Sequence, residues 1–231
     1  NRLLTKGKPA ALAEVREVAE FAAAHGGPAQ IQSWDFMYYA EKLKEQKYAF
    51  DEESLRPYFK LENVVAGVFE HAKRLFGLNF IESNEYPVYH EDVKVYEVYK
   101  TGPEKQFIGL FYADFFPRAS KSGGAWMTNF YEQGVFRGKR MRPHVSIVCN
   151  FTKPTKDVPS LLTFDEVSTL FHEFGHGLHS LLSQVEFRSL AGTNVYLDFV
   201  ELPSQILENW AEEAESLNLY AHHYKTGELI P

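Results

Sequence analysis

From Ala10 to His25, Ala, Leu, Val and Phe recur at three- and four-residue spacing, the pattern of a helix, which Gly26-Gly27-Pro28 ends. Ser33 stands where an N-cap belongs, so a second helix is predicted from Trp34 to about Lys47. A third runs from about Leu61 to Phe76 and stops at Gly77. The period then changes to two. Val93-Lys-Val-Tyr-Glu-Val-Tyr99 alternates, Thr101-Gly-Pro-Glu104 supplies a turn, Gln106 to Phe116 returns as a strand, and His144 to Phe151 adds another. A Gly-rich loop, Ser120-Lys-Ser-Gly-Gly124, precedes Ala125-Trp126-Met127. Thr163-Phe-Asp-Glu166 is a capping box before an apolar run and opens a helix to about Ser183. A last helix covers roughly Phe199 to Tyr220, with Pro203 in its first turn or at a kink. The pattern predicts a mainly α fold with a small antiparallel β-sheet (α+β) and no internal repeat. It is helical over 1–77, carries the sheet and Gly-rich loop over 78–155, and returns to helix over 156–231.

Composition narrows the class. Of 231 residues, 45% are hydrophobic and 24% charged, which is ordinary globular usage and excludes disorder. No run approaches the roughly 18 apolar residues of a membrane span, so no membrane partner is expected. The net charge of −7 argues against a nucleic-acid backbone as the main partner. The basic stretch Arg137-Gly-Lys-Arg140, with Arg142, reads as a solvated loop. One cysteine, Cys149, rules out an internal disulfide framework and fits a reducing, cytoplasmic setting; its apolar neighbours in Val145-Ser-Ile-Val-Cys149 make it core. Aromatic residues reach 15%, which points to a well-filled interior or a ring-lined cleft. The chain starts at Asn1 without a charged-then-apolar leader, so no targeting signal is read.

The chemistry lies in the capped helix, at His172-Glu173-Phe174-Gly175-His176. Residues four apart are about 40° apart around a helix, so both imidazoles project from one face and can grip one cation. Glu173 flanks that face, within reach of a water on the metal. Zn2+ suits imidazole and carboxylate ligands and in catalytic sites keeps one position open. With 9 His and 31 acidic residues, H-[D/E]-x-x-H is expected by chance only about 0.05 times in such a chain. The helix also carries two stripes. Asp165, Thr169, His172, His176, His179 and Ser183 follow one face, and Val167, Phe171, Phe174, Leu178 and Leu181 another, as on a helix lying under a cleft. Histidines facing solvent on an ordinary amphipathic helix are the bland alternative. A third ligand is needed. The metzincin pattern would put Gly at 179 and His at 182, where His179 and Leu182 stand, so that class is excluded. A glutamate on the next helix is the other common solution, and spacing alone leaves Glu201 beside Glu186, Asp198 and Glu208.

His172-Glu-Phe-Gly-His-Gly-Leu-His179, Gly192-Thr193, Asp198-Phe-Val-Glu-Leu-Pro-Ser-Gln205 and Glu208-Asn-Trp210 together closely resemble the thimet-oligopeptidase family of zinc peptidases. Trp34-Asp35, Tyr38-Tyr39, Leu55-Arg-Pro-Tyr58, Lys121-Ser-Gly-Gly-Ala-Trp-Met127 and Asn150-Phe-Thr-Lys-Pro154 extend the resemblance along the whole chain. Phe115-Phe116, Lys121-Ser-Gly-Gly124 and Asp198-Phe-Val200 are most similar to the family's bacterial peptidyl-dipeptidase branch, with the oligopeptidase A branch second. The resemblance implies a zincin-like arrangement: zinc held by His172, His176 and Glu201, Glu173 as general base, and short peptides as substrates. It implies release of carboxyl-terminal dipeptides, with endo-acting cleavage or a non-catalytic zinc-binding module as alternatives. Family members are much longer, and their oxyanion-stabilising His and Tyr residues lie beyond this stretch. The chain is therefore expected to be an incomplete central piece of one catalytic domain, weakly active or inactive alone.

Ligand histidines usually give their second ring N–H to a carboxylate or carbonyl. Glu208 and Asp165 are the candidates for that role, and Asp165 is also explained as a favourable charge on the helix dipole. His179 is expected to be hydrogen-bonded or part of the cleft wall, and His222-His223 to lie on the surface. The Lys121 to Trp126 loop could offer backbone N–H groups to an extended peptide, or be a turn with no ligand; it lacks a phosphate-loop pattern.

Overall fold

A computed structural model describes residues 2–28, 30–48 and 52–231. The chain divides into two compact units, 1–52 and 53–231. The first holds two helices, α1 (Arg2–Ala24) and α2 (Ser33–Tyr48). α1 begins eight residues before the apolar spacing predicts and runs through Pro9. Residues 2–17 are exposed throughout, so no apolar stripe marks that part of the helix; only Val18 and Ala22 are buried. Asp35 caps α2, its carboxylate accepting the Gln32 N–H at 2.9 Å.

The second unit packs helices on a five-stranded sheet. After a 3-10 turn (Glu52–Tyr58) comes α3 (Leu61–Phe76), ended by Gly77 in the left-handed region at φ 63°, where a side chain would be strained. The strands are β1 (Leu78–Glu82), β2 (Lys94–Lys100), β3 (Phe107–Asp114), β4 (Trp126–Tyr131), β5 (Gly134–Phe136), β6 (Lys139–Met141) and β7 (His144–Val148). The large sheet has the order β1-β2-β3-β7-β4, and β5 and β6 form a separate hairpin. β3 and β7 pair in parallel, the other pairs antiparallel. The parallel pair arises because β4 to β6 lie between the two strands in sequence.

Four of these strands, β1, β4, β5 and β6, depart from the expectation. β1 and β4 are the outer strands of the sheet and are only partly buried, so neither shows a clean alternation. Arg137-Gly-Lys-Arg140 is exposed as expected but forms the tip of the β5–β6 hairpin and much of β6, not a loop. Arg137 (φ 49°) and Gly138 (φ 74°) both take the left-handed conformation that a two-residue hairpin turn demands.

α4 (Phe164–Leu181) lies across one face of the sheet. Gly177 brings it down onto Phe111, Val145 and Ile147, where an added Cβ would be 3.5–3.7 Å from each. Its N-terminus is closed by the capping box, Glu166 N–H to Thr163 Oγ1 at 3.1 Å and Thr163 N–H to Glu166 Oε2 at 2.9 Å. The same carboxylate accepts the Thr152 N–H at 2.9 Å, tying the helix start to the chain just past β7. At the other end Arg142 donates to the carbonyls of Leu181 (2.6 Å) and Ser183 (3.3 Å), and to that of Ile108 in β3 (2.6 Å). Both ends of α4 are thus fastened to the sheet. Between them Phe174 meets Phe111 edge-on, with ring centroids 5.6 Å apart, inside a cluster that includes Phe69 and Phe80. Part of the aromatic content fills this interior, whereas Trp34, Tyr38, Tyr48, Phe187 and Tyr196 are exposed. Cys149 is fully buried in the interior, and burial pushes its thiol far above the ordinary range.

The predicted final helix is three: α5 (Leu197–Val200), α6 (Leu202–Glu212) and α7 (Ala214–Tyr220). Pro203 sits in the first turn of α6, where its missing N–H costs nothing, and Glu213, in extended conformation, separates α6 from α7.

The Lys121 loop has an internal explanation. Lys121 Nζ donates to Asp114 Oδ1 (2.9 Å) and to the carbonyls of Asp114 (3.1 Å) and Phe116 (2.8 Å), while Arg118 makes a two-pronged contact to Asp114 at 2.8 Å for each bond. Burial alone would raise the Asp114 carboxyl, but the Arg118 and Lys121 hydrogen bonds outweigh it and hold the group below its ordinary value. A carboxyl lowered in the folded state adds stability above its unfolded pKa of about 3.9 and loses it as pH falls through the folded value. Asp114→Ala is expected to cost about 3–5 kcal/mol at neutral pH, because it strands a buried ammonium. The cost should shrink below about pH 4. Urea unfolding at pH 7 and pH 3 checks both; an equal cost at the two pH values would refute the role given to the charge.

Candidate metal centre

His172 and His176 leave α4 on the same side, their rings 4.8 Å apart and nearly perpendicular. Glu201 occupies the break between α5 and α6, in helical backbone conformation. Its Oε2 lies 3.3 Å from His172 Nε2 and 3.1 Å from His176 Nε2. Among the described residues these three side chains form the group of His, Cys, Asp or Glu able to hold a metal, their ligand atoms all within 4.8 Å of one another. Ligand atoms on one tetrahedral zinc at about 2.0–2.1 Å stand about 3.3–3.4 Å apart, so both carboxylate–imidazole separations match an edge of such a tetrahedron. The donor set fits a zinc ion.

The close approach has one cause. α4 and α6 touch at Gly175 and Ser204, where a Cβ on residue 175 would lie 2.6 Å from Ser204 Cα and 2.8 Å from the Pro203 carbonyl oxygen. Both are backbone atoms of α6 and cannot turn aside. Only glycine allows the N-terminus of α6, and Glu201 with it, to reach the histidine pair.

The surroundings complete the histidine chemistry. Glu208, two turns along α6, has Oε1 2.5 Å from His172 Nδ1. With the proton on Nδ1 donated to Glu208, the Nε2 lone pair is left free for a cation. Asp165 is exposed in the first turn of α4, which fits its helix-dipole explanation. Burial lowers the pKa of His176, partly opposed by Glu201, and so favours the neutral, metal-competent imidazole.

Glu173 is 6% exposed, and its Oε2 is buried with no hydrogen-bond partner among the described residues. Burial raises its pKa, with His172 pulling the other way. It lines an open cleft of about 500 Å³ together with Ala125, Asp165, Ser168, Thr169, His172 and Glu208. An uncommitted carboxylate on such a cleft, beside the ligand group, can take up a proton. His179 walls a separate, mainly apolar cavity of about 510 Å³ with Leu178, Leu182 and Trp210, its ring steeply inclined to that of Phe199, and burial lowers its pKa. Glu186 and Asp198 are exposed and outside the ligand group. His222 and His223 are half-buried instead of on the surface: His222 bridges Phe59 and Leu229 through its backbone, and His223 meets Tyr58 edge-on.

Spacing arguments missed the roles of Gly175, Ser204 and Arg142. A glycine inside an otherwise apolar-periodic helix is the signal that could have found the first. Gly175→Ala gains about 1 kcal/mol of helix propensity, but the clash with fixed backbone should outweigh it. The expected net loss is about 1–3 kcal/mol, read from urea unfolding; a more stable variant would contradict the packing argument.

Residues 1–231 match the family model described as peptidase family M3. A dipeptidyl carboxypeptidase of Salmonella typhimurium is 46% identical over 221 residues, which is 95% of this chain and 32% of the relative. Oligopeptidase A of Escherichia coli is 41% identical over 231 residues, 99% of this chain and 34% of the relative. A thimet-like oligopeptidase of Dictyostelium discoideum is 39% identical over 197 residues, 84% and 29% respectively. The chain spans about a third of the length of these curated relatives.

Proposed function

The chain belongs to peptidase family M3, and from that premise we propose that it carries the zinc centre of a metallopeptidase acting on short peptides. The observation that carries the reading is Glu201 Oε2 at 3.3 and 3.1 Å from the two imidazole nitrogens. His172, His176 and Glu201 hold the ion. When bound, zinc supplies Lewis acidity, which acidifies water and polarises a carbonyl.

The chain's own residues do the rest. Glu208 holds the His172 tautomer through Nδ1. Glu173 takes a proton from the attacking water and passes it to the departing amine, breaking the peptide bond. Its buried, unpartnered Oε2 and its raised pKa suit a group that must hold a proton between the two steps. The outer edge of β4, unpaired in the large sheet, is available for an extended peptide near Ala125 and the cleft.

Release of dipeptides from the carboxyl end is the favoured specificity, supported by 46% identity to a dipeptidyl carboxypeptidase against 41% to oligopeptidase A. Endo-acting cleavage is the second reading, and products from amino-blocked peptides separate the two. Weak or no hydrolysis by these 231 residues alone is part of the reading, so metal retention is the better readout.

Elemental analysis is expected to find about one zinc per chain in the parent and in Glu173→Gln, and little in His176→Ala. Equal zinc in all three would end the ligand assignment. Glu208→Gln should weaken zinc binding by about 10–100-fold, measured by chelator competition. An unchanged affinity would mean that Glu208 does not set the His172 tautomer.

A further inference from the structure

We propose that Ser204 is a positioning residue for the metal centre, its buried hydroxyl holding the Glu201 carboxylate with Oε2 turned toward the histidine pair. The inference rests on the zinc reading and deepens it. Ser204 is fully buried at the contact between α6 and Gly175. Its Oγ lies 3.0 Å from Glu201 Oε2 and 2.9 Å from the Glu201 carbonyl oxygen. The one hydroxyl proton lies within reach of both oxygens, and the ionised carboxylate, a stronger acceptor than a carbonyl that already takes the Gln205 N–H at 2.9 Å, draws it.

The oxygen that Ser204 contacts is the one that faces both imidazoles. A carboxylate oxygen has lone pairs for both tasks, one for the hydroxyl and one for a cation. Glu201 needs such an anchor. Its side chain is 48% exposed and has several rotatable bonds, so without a partner the carboxylate would turn freely into solvent. Ser204 cannot drift, because its Cα is packed against the backbone of α4 at Gly175. The chain of support is therefore continuous: α4 fixes Ser204, and Ser204 fixes the ligand that completes the group begun on α4.

Zinc dissociation constants from chelator competition test this on the parent, Ser204→Ala, Glu201→Ala and the double variant, alongside absorption spectra of the cobalt-loaded proteins. Ser204→Ala is expected to bind zinc about 10–100-fold more weakly and to show an altered cobalt spectrum. In the Glu201→Ala background the serine change should have no further effect, because the ligand it positions is gone. A general packing defect would weaken binding equally in both backgrounds and would overturn the proposal. So would parent-like affinity and spectrum in Ser204→Ala. Should Ser204→Ala fail to fold, Ser204→Gly, which also removes the hydroxyl and adds no metal ligand, is read against the same expectations. A parent that binds no zinc overturns the zinc reading itself, and this inference with it.

Discussion

The backbone contact between α4 and α6 at Gly175 and Ser204 governs the arrangement of the site. Two histidines on one helix face are common chemistry, but they make at most two bonds to an ion. The third donor comes from another helix, and its reach is set by how closely the two axes approach. A methyl group at residue 175 would require the backbone of α6 to retreat by several tenths of an ångström, more than the roughly 0.2 Å that a coordination bond tolerates. The connection between the helices is fastened in the same spirit. Gln133 is fully buried and pairs with the Val185 backbone in both directions, at 2.7 and 2.8 Å. Gly192 lies against Ser180 with no room for a side chain.

That packing concentrates charge in a way that favours a cation. Glu173, Glu201 and Glu208 converge on two imidazoles in a chain already at net −7. Without a cation, burial works against the ionised form of Glu173, and the nearby Glu201 charge adds to the cost. A divalent ion at the ligand group would reverse both effects, since it becomes the largest local charge. By contrast the buried Asp114 carboxylate is met by two cations of the chain itself, Arg118 and Lys121, and needs no ion.

Much of this was legible in the order of residues. The capping box at Thr163 and Glu166 sets the start of α4, and its two stripes separate as the four- and three-residue spacing requires, Phe174 inward and His172 outward. Glu208 was one of two candidates to hold His172, and the structure puts it at 2.5 Å. What was not legible depends on tertiary contact. The parallel pairing of β3 with β7 joins segments that periodicity treats separately. The breaks at Glu201 and Glu213 interrupt an apolar pattern that continues through them. Lys121 reads as a loop residue until Asp114 is seen beside it, and Ser204 is one serine among many until its proton is accounted for.

The central claim is that one zinc ion is held by two imidazoles from α4 and one carboxylate from the start of α6. X-ray absorption at the zinc edge of the loaded protein tests it most directly. A zinc ion on His172, His176 and Glu201 gives nitrogen and oxygen neighbours at about 2.0–2.1 Å, with the outer scattering of two imidazole rings. Sulfur scattering at about 2.3 Å, or the signature of fewer than two imidazoles, would contradict it.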